Sequence, residues 1–209
     1  MTSLAAHPVD AALSALATGR PMVLSAADAA LILPAAKVST TALAFVVRHS
    51  SGLVSVALPG DRCDALELPP MCPSFRAGDG PAWCVAVDAA TGVTTGISAA
   101  DRAETIRRLA DPATVPQDLH RPGHVLPCAT HPQGILGRLA IPEAAVDLCL
   151  RAGHSAAAVF AGLVSPSDPR RMATPRESVA FAAEHGLPVL DLSDAVRNCQ
   201  ANQRIPRSG

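Results

Sequence analysis

Short apolar runs alternate with helical patterns along this chain, and this alternation limits the possible folds more than any other feature. Residues 10–18 have helical spacing and end at Gly19, and the apolar run 21–24 that follows predicts a buried strand. Further strands are predicted at 53–58 and 83–87. Strands separated by helices predict an α/β (α+β) domain in which helices pack on a mixed, mostly buried sheet.

Helix-capping residues mark three further helices. Thr40 is predicted to cap a helix that ends near residue 52, and Ser98 with Asp101 has the spacing of a capping box. The segment 174–177 combines a threonine cap, a first-turn proline and a reciprocal glutamate, and that helix is predicted to end at Gly186. A last strand is predicted at 188–192, whereas the proline- and glycine-rich segment 59–81 predicts a long loop.

Composition narrows the class of protein. Hydrophobic residues make up 49% of the 209 residues and charged residues 17%, which predicts one compact domain over residues 1–209 rather than a disordered chain. The 17 basic residues are scattered and the net charge is −1, so nucleic acid is not an expected partner. The sequence has no signal-peptide pattern and no uninterrupted run of 18 apolar residues, so we expect a cytoplasmic protein without a membrane partner.

The cysteines show neither a C-x-x-C pair nor the close spacing of a zinc site. Several lie in apolar runs, so we expect reduced and mostly buried thiols. The cysteines are Cys63, Cys72, Cys84, Cys128, Cys149 and Cys199.

Two segments could carry chemistry. In Gly92–Ser98, backbone N–H groups and the hydroxyls of Thr94 and Thr95 gather at a helix N-terminus, where an anion such as phosphate is favoured, although many capped helices bind no ligand. In His120–His124, the Pro-Gly pair predicts a turn that exposes His124 beside Arg121. Histidine could move a proton and arginine could hold an oxyanion, but a structural role for both remains open.

These segments resemble those of a known family. The runs 92–102 (GVTTGISAADR) and 118–127 (DLHRPGHVLP) are similar to two signature segments of 3,4-dihydroxy-2-butanone 4-phosphate synthase. The runs 48–54 (RHSSGLV), 68–71 (LPPM) and 134–138 (GILGR) fall in the family's order and spacing, and the resemblance covers residues 10–195.

The resemblance implies a function and an assembly. Enzymes of this family convert ribulose 5-phosphate, using two bridging magnesium ions and several carboxylates for enolisation and rearrangement, and release formate. They are homodimers with active sites between subunits. By this resemblance Thr94, Thr95, Asp101, Arg102 and Arg138 are expected to bind substrate, with His124 and Arg121 as catalytic residues.

The resemblance also shows departures from the family's pattern. Where the family has the acidic loop D-x-E-D-R-E-N-E-G-D, this chain reads LSAADAALILP at 24–34, with Asp28 as its only acid. Ile141 stands where the family's metal-binding histidine is expected, and Pro142 replaces a threonine that helps to hold the substrate phosphate. Gly162 stands in place of a catalytic glutamate. Aliphatic carbon cannot bind magnesium, so we expect neither metal nor other cofactor.

Two hypotheses follow from these departures. The first is a repurposed, metal-independent acid–base enzyme of the lyase, isomerase or cyclase type, which acts on a small anionic or carbonyl-containing substrate in specialised metabolism and does not convert ribulose 5-phosphate. The second is a catalytically silent homologue that serves as a binding or regulatory partner.

Overall fold

The chain folds around a mixed sheet of eight strands in the part that the structure, a computed structural model, describes: residues 7–72 and 82–203. The strands are β1 Met22–Ser25, β2 Ala30–Pro34, β3 Ser55–Pro59, β4 Ala82–Trp83, β5 Val87–Ala89, β6 Leu119–Thr130, β7 Ala158–Gly162 and β8 Val189–Asp191. The order is β4-β6-β3-β7-β2-β1-β8, and β5 pairs with β6. The pairs β3/β6 and β1/β8 are parallel, and the other pairs are antiparallel.

Helices cover both faces of this sheet. They are α1 Pro8–Ala17, α2 Thr40–His49, α3 Gly60–Ala65, α4 Ala99–Ala110, α5 Ile141–Arg151, α6 Pro175–His185 and α7 Leu192–Gln203. None of the helices in the described ranges combines the length and apolar character needed to cross a membrane.

The sheet has a hydrophobic core on each side because its strands alternate their side chains between the faces. On β2, Leu31 and Leu33 pack into one core together with α2, α4 and α6, whereas Ala30 and Ile32 pack into the other with α1, α5 and α7. Each fully buried leucine or isoleucine contributes about 1.5–3 kcal/mol. The predicted fold class is therefore confirmed.

The predicted caps are found with small shifts in position. Ser98 accepts a hydrogen bond from the Asp101 N–H at the start of α4, but the Asp101 carboxylate bonds Thr94 and Gly96 and does not complete the predicted capping box. Ser39, rather than Thr40, caps α2. Thr174 and Glu177 bond each other's backbone N–H groups at the start of α6, which ends at Gly186 with a φ of 62°. All of the cysteines in the described ranges except Cys72 are buried, as expected.

Three local predictions were wrong. The segment 120–124 is not a turn but lies inside β6, with a cis peptide bond between Arg121 and Pro122. The predicted loop 59–81 contains the helix α3, and its glycine-rich end at 78–81 lies outside the described residues. The strand predicted at 83–87 is divided into β4 and β5.

Candidate active site

His124 pairs with a carboxylate that sequence reasoning missed. Its Nδ1 lies 2.7 Å from Oδ2 of Asp88, and its backbone N–H donates to Oδ1 of the same residue at 2.9 Å. The His124 side chain is 40% exposed and that of Asp88 only 14%. A carboxylate at Nδ1 favours a proton on that nitrogen and leaves Nε2 as an acceptor. The pair, hereafter the Asp88–His124 dyad, therefore has the geometry of an oriented general base.

The pairing of β5 with β6 brings the dyad together across 36 residues of sequence. The register shifts between Val87 and Asp88, which is the irregularity that directs the carboxylate towards His124. Gly123 permits this close approach, because a Cβ there would lie 1.9 Å from the carbonyl carbon of Val87.

Asp101 joins the dyad to the N-terminus of α4 through Gly96. Its Oδ2 accepts hydrogen bonds from the Thr94 hydroxyl at 2.8 Å and from the Gly96 N–H at 3.1 Å. The hydrogen bond from Thr94, followed by those from Gly96 and Ser98, holds the pKa of the Asp101 carboxyl below its usual value against the opposing effect of burial. The charged form of Asp101 thus occupies the turn in which we predicted an external anion.

The phosphate-binding roles of Thr94 and Thr95 therefore remain predictions. The Thr94 hydroxyl is directed to Asp101, whereas Thr95 is exposed at the turn. Asp101 itself acts here as an acceptor inside the turn, a contact that favours a positioning role.

Arg102 follows Asp101 and is also buried. Its guanidinium donates to the carbonyl oxygen of Gly52 at 2.9 Å, which fixes the loop before β3 against α4. Burial lowers the pKa of Arg102, and the negative charge of nearby Asp88 opposes that effect. Arg102 therefore places a positive charge beside the dyad, and its direct contact with substrate remains a prediction.

Arg121 is held by the backbone. Its guanidinium donates to the carbonyl oxygens of Glu67, Pro116, Leu119 and Leu66. These contacts favour a role in fixing β6 over the predicted role of an oxyanion holder, which stays a prediction.

Arg138 lies apart from the dyad. It forms an ion pair with the fully buried Glu143 of α5 and donates to the carbonyl of Ala129 at 3.2 Å. Ala129 is five residues beyond His124 on β6, which corresponds to roughly 17 Å along a strand. The chain by itself therefore does not bring the predicted substrate-binding Arg138 to the other site residues.

A cavity of about 400 Å³ opens at the ends of β2, β3 and β7. Its lining residues in the described part of the chain are Asp28, Ala29, Ala30, Ser51, Leu53, Ser55, Trp83, Ala140, Ile141, Pro142, Phe160, Ala161, Gly162 and Met172. None of the predicted site residues, all of which are described, is among them. Ser51 and Leu53 line the cavity on either side of Gly52, whose carbonyl oxygen accepts from Arg102, so the 51–53 loop lies between the cavity and Arg102.

The positions at which the sequence departs from the family's metal site lie together in the wall of this cavity. Asp28, Ile141 and Gly162 all line it, and Asp28 is the only carboxylate among the described lining residues. Residues 7–72 and 82–203 contain no group of three or more histidine, cysteine or acidic side chains that could hold a metal ion. Magnesium requires several oxygen ligands. The described residues therefore do not fit a pair of magnesium ions.

The family model of 3,4-dihydroxy-2-butanone 4-phosphate synthase matches residues 10–198. The chain belongs to this family. It is 40% identical over 201 residues to the 3,4-dihydroxy-2-butanone 4-phosphate synthase of Citrobacter koseri, which covers 94% of this chain and 92% of that protein. It is 44% identical over 166 residues to the riboflavin biosynthesis protein RibBA of Nocardia farcinica, which covers 79% of this chain and 40% of that protein.

Solved structures of the family agree with the fold. A 3,4-dihydroxy-2-butanone 4-phosphate synthase in complex with two magnesium ions has a TM-score of 0.87 and 35% identity over 93% of this chain and 97% of that one. The Candida albicans enzyme has a TM-score of 0.85 and 36% identity over 92% of this chain and 97% of that one. The chain spans less than half the length of the RibBA proteins of Nocardia and Salinispora that it matches.

These relatives overturn two functional predictions. We expected a repurposed enzyme of specialised metabolism or a silent homologue, and no activity on ribulose 5-phosphate. Relatives 40–45% identical over 79–94% of the chain are named as the family's synthase or as RibBA, so both hypotheses drawn from the missing ligands were wrong.

Proposed function

We propose that this chain acts on ribulose 5-phosphate in riboflavin biosynthesis and forms 3,4-dihydroxy-2-butanone 4-phosphate and formate. Its identity to named synthases over nearly its whole length supports this activity. Among the described residues, the Asp88–His124 dyad supplies the matching chemistry, because the reaction begins with removal of a proton next to a carbonyl group.

In this proposal His124 Nε2 accepts that proton. Asp88 fixes the ring through Nδ1 and stabilises the imidazolium that forms. Arg102 places a positive charge near Asp88, and Gly96 of the turn 94–96 lies directly against the side chains of Asp88 and His124. A homodimer with sites between subunits, as the resemblance implies, is part of the proposal and would bring further residues to the dyad.

Formate release from ribulose 5-phosphate tests the proposal. The purified chain is incubated with ribulose 5-phosphate and magnesium, and formate is measured with formate dehydrogenase. We expect release by the wild type and a loss of about 100-fold or more in His124→Gln, because a positioned general base typically contributes that much.

A matched control separates this loss from damage to the strand. His120 lies on the same strand and is exposed, so His120→Gln should retain wild-type activity. Wild-type protein that releases no formate, or a His124→Gln variant as active as the wild type, would contradict the proposal.

A further inference from the structure

Two histidines lie side by side where α2 and α6 end. His49 is the last residue of α2 and His185 is the last residue of α6, and both side chains are partly exposed. Neither lines the cavity at the ends of β2, β3 and β7, and the dyad makes its hydrogen bonds without them. The two residues, hereafter the His49–His185 pair, are therefore not part of the candidate active site.

The spacing of the two rings suits one shared metal ion. Their centroids lie 4.9 Å apart and their planes are inclined by 55°. A metal–imidazole bond is about 2.0–2.1 Å long, so two rings that bind one ion at a near-tetrahedral angle have centroids roughly 5 Å apart. In the described ranges neither ring has a hydrogen-bond partner, so no protein group competes with an ion for their nitrogen atoms.

Two phenylalanines hold the His49–His185 pair in place. Phe45 packs against His49 with ring centroids 4.6 Å apart, and Phe181 packs against His185 at 4.3 Å. Phe181 is only 3% exposed, so the pair rests on the edge of the hydrophobic core. The aromatic contacts restrict both imidazoles and exclude water from one side, which lowers the cost of bringing them to a common ligand.

The surrounding charges do not oppose a cation as a group. The carboxyl ends of two helices meet here, and such ends carry partial negative charge. The carboxylate of Glu184 is close enough to act on His49, whereas the guanidinium of Arg48 acts in the opposite direction. The two side-chain charges offset each other, and the helix ends leave a small balance in favour of a cation.

The ligand atoms decide which cations fit. Imidazole nitrogen binds zinc, nickel and copper, whereas magnesium requires oxygen ligands. The described residues supply no group of three metal-binding side chains, so water would fill the remaining coordination positions. We propose that His49 and His185 bind one divalent transition-metal ion of the zinc or nickel class, which links α2 to α6. This site goes beyond the proposed reaction and does not depend on it.

Nickel titration tests the site. Nickel chloride is titrated into the full chain, without an affinity tag, by isothermal titration calorimetry. We expect saturable binding by the wild type and a dissociation constant at least about tenfold higher in His49→Phe and in His185→Phe, a loss of about 1.4 kcal/mol or more. Phenylalanine keeps a ring in the cluster without a nitrogen ligand. His120 is exposed on β6, so His120→Gln is the control and should bind nickel like the wild type.

Thermal unfolding gives a second readout. An ion that binds the folded pair stabilises the folded chain, so nickel should raise the Tm of the wild type and raise it less in either phenylalanine variant. The Tm of each variant without nickel shows that it is folded, and each substitution removes one ligand, so either variant is a complete test.

Three results would overturn the proposal. They are the absence of saturable nickel binding, equal dissociation constants in the wild type and both phenylalanine variants, and displacement of nickel by excess magnesium. Formate release is measured separately, with magnesium as the only divalent ion. A chain that makes formate without binding nickel therefore refutes only the metal site, and the reverse result refutes only the proposed reaction.

Discussion

His124 becomes a candidate base only through contacts that no single segment contains. Its partner Asp88 follows a short apolar run, which is a visible signal in the sequence, but its position beside the ring depends on the pairing of β5 with β6. The carbonyl contacts of Arg121 were equally invisible, because the four oxygens come from two separate segments. The motifs thus predicted which residues could act in the site, whereas the hydrogen-bond partners of these residues could be identified only from the three-dimensional fold.

Gly96 offers a test of the dyad at the residue scale. A Cβ at this position would lie 2.1 Å from Asp88 Oδ2 and 2.7 Å from His124 Nδ1. Gly96→Ala should therefore displace the dyad, lower formate release by about 100-fold and cost about 1–3 kcal/mol of unfolding free energy.

Gly92→Ala is the matched control for this change. Gly92 has a φ of 79°, close to the 84° of Gly96, so both substitutions carry the same backbone strain. A Cβ at Gly92 would only make ordinary contact with Glu104 at 3.6 Å. Equal loss of activity in the two variants would show that strain, not the dyad, is responsible.

Whole elements were predicted best where local chemistry decides them. The cap of α6 was confirmed because its signals lie within four residues, Thr174 to Glu177. The turn predicted at 120–124 was wrong because β5 supplies a pairing partner, and that partner is distant in sequence. The segment 60–65 forms a helix in which Cys63 is buried in the core, although Pro59 and Gly60 stand at its start.

The contact between α2 and α6 predicts a dependence of stability on pH. His49 lies with Phe45, Phe181 and His185 in a cluster of rings with centroids 4.3–6.1 Å apart. Burial, followed by the charges of His185 and Arg48, lowers the pKa of His49, and Glu184 opposes them.

The sign of this effect follows from proton binding. Because the folded state binds the His49 proton more weakly, its contribution to stability is present above the ordinary pKa of 6.5 and is lost as the pH falls through the lowered value. We expect the Tm to fall below pH 6.5, and the fall to be shallower in His49→Phe, which keeps the ring without the titrating group. His120→Gln is the control, and an identical slope in His49→Phe and wild type would contradict the assignment.

At the scale of the molecule, the resemblance of the sequence motifs predicted the family and the fold, and both predictions were confirmed over residues 10–198. The prediction of a different reaction, which rested on the missing metal ligands, was wrong. It gave a few side chains in one cavity more weight than a sequence match that extends through nearly the whole chain. The disagreement between the cavity and a magnesium pair is nevertheless a property of the structure, with Ile141 and Gly162 in its wall. A fold alone does not decide function, so the dyad has to be tested as a site.

Exchange of substrate protons with solvent tests the dyad most directly, because it reports proton removal without the later rearrangement. Ribulose 5-phosphate is incubated with the protein in D₂O, and the signals of the hydrogens next to the carbonyl group are followed by proton NMR. We predict that the wild type exchanges these hydrogens. The exchange rate should be about 100-fold lower in both His124→Gln and Asp88→Asn, and it should be unchanged in His120→Gln. Exchange at the wild-type rate in His124→Gln, or none in the wild type, would contradict the assignment of Asp88 and His124 as the proton-transferring pair.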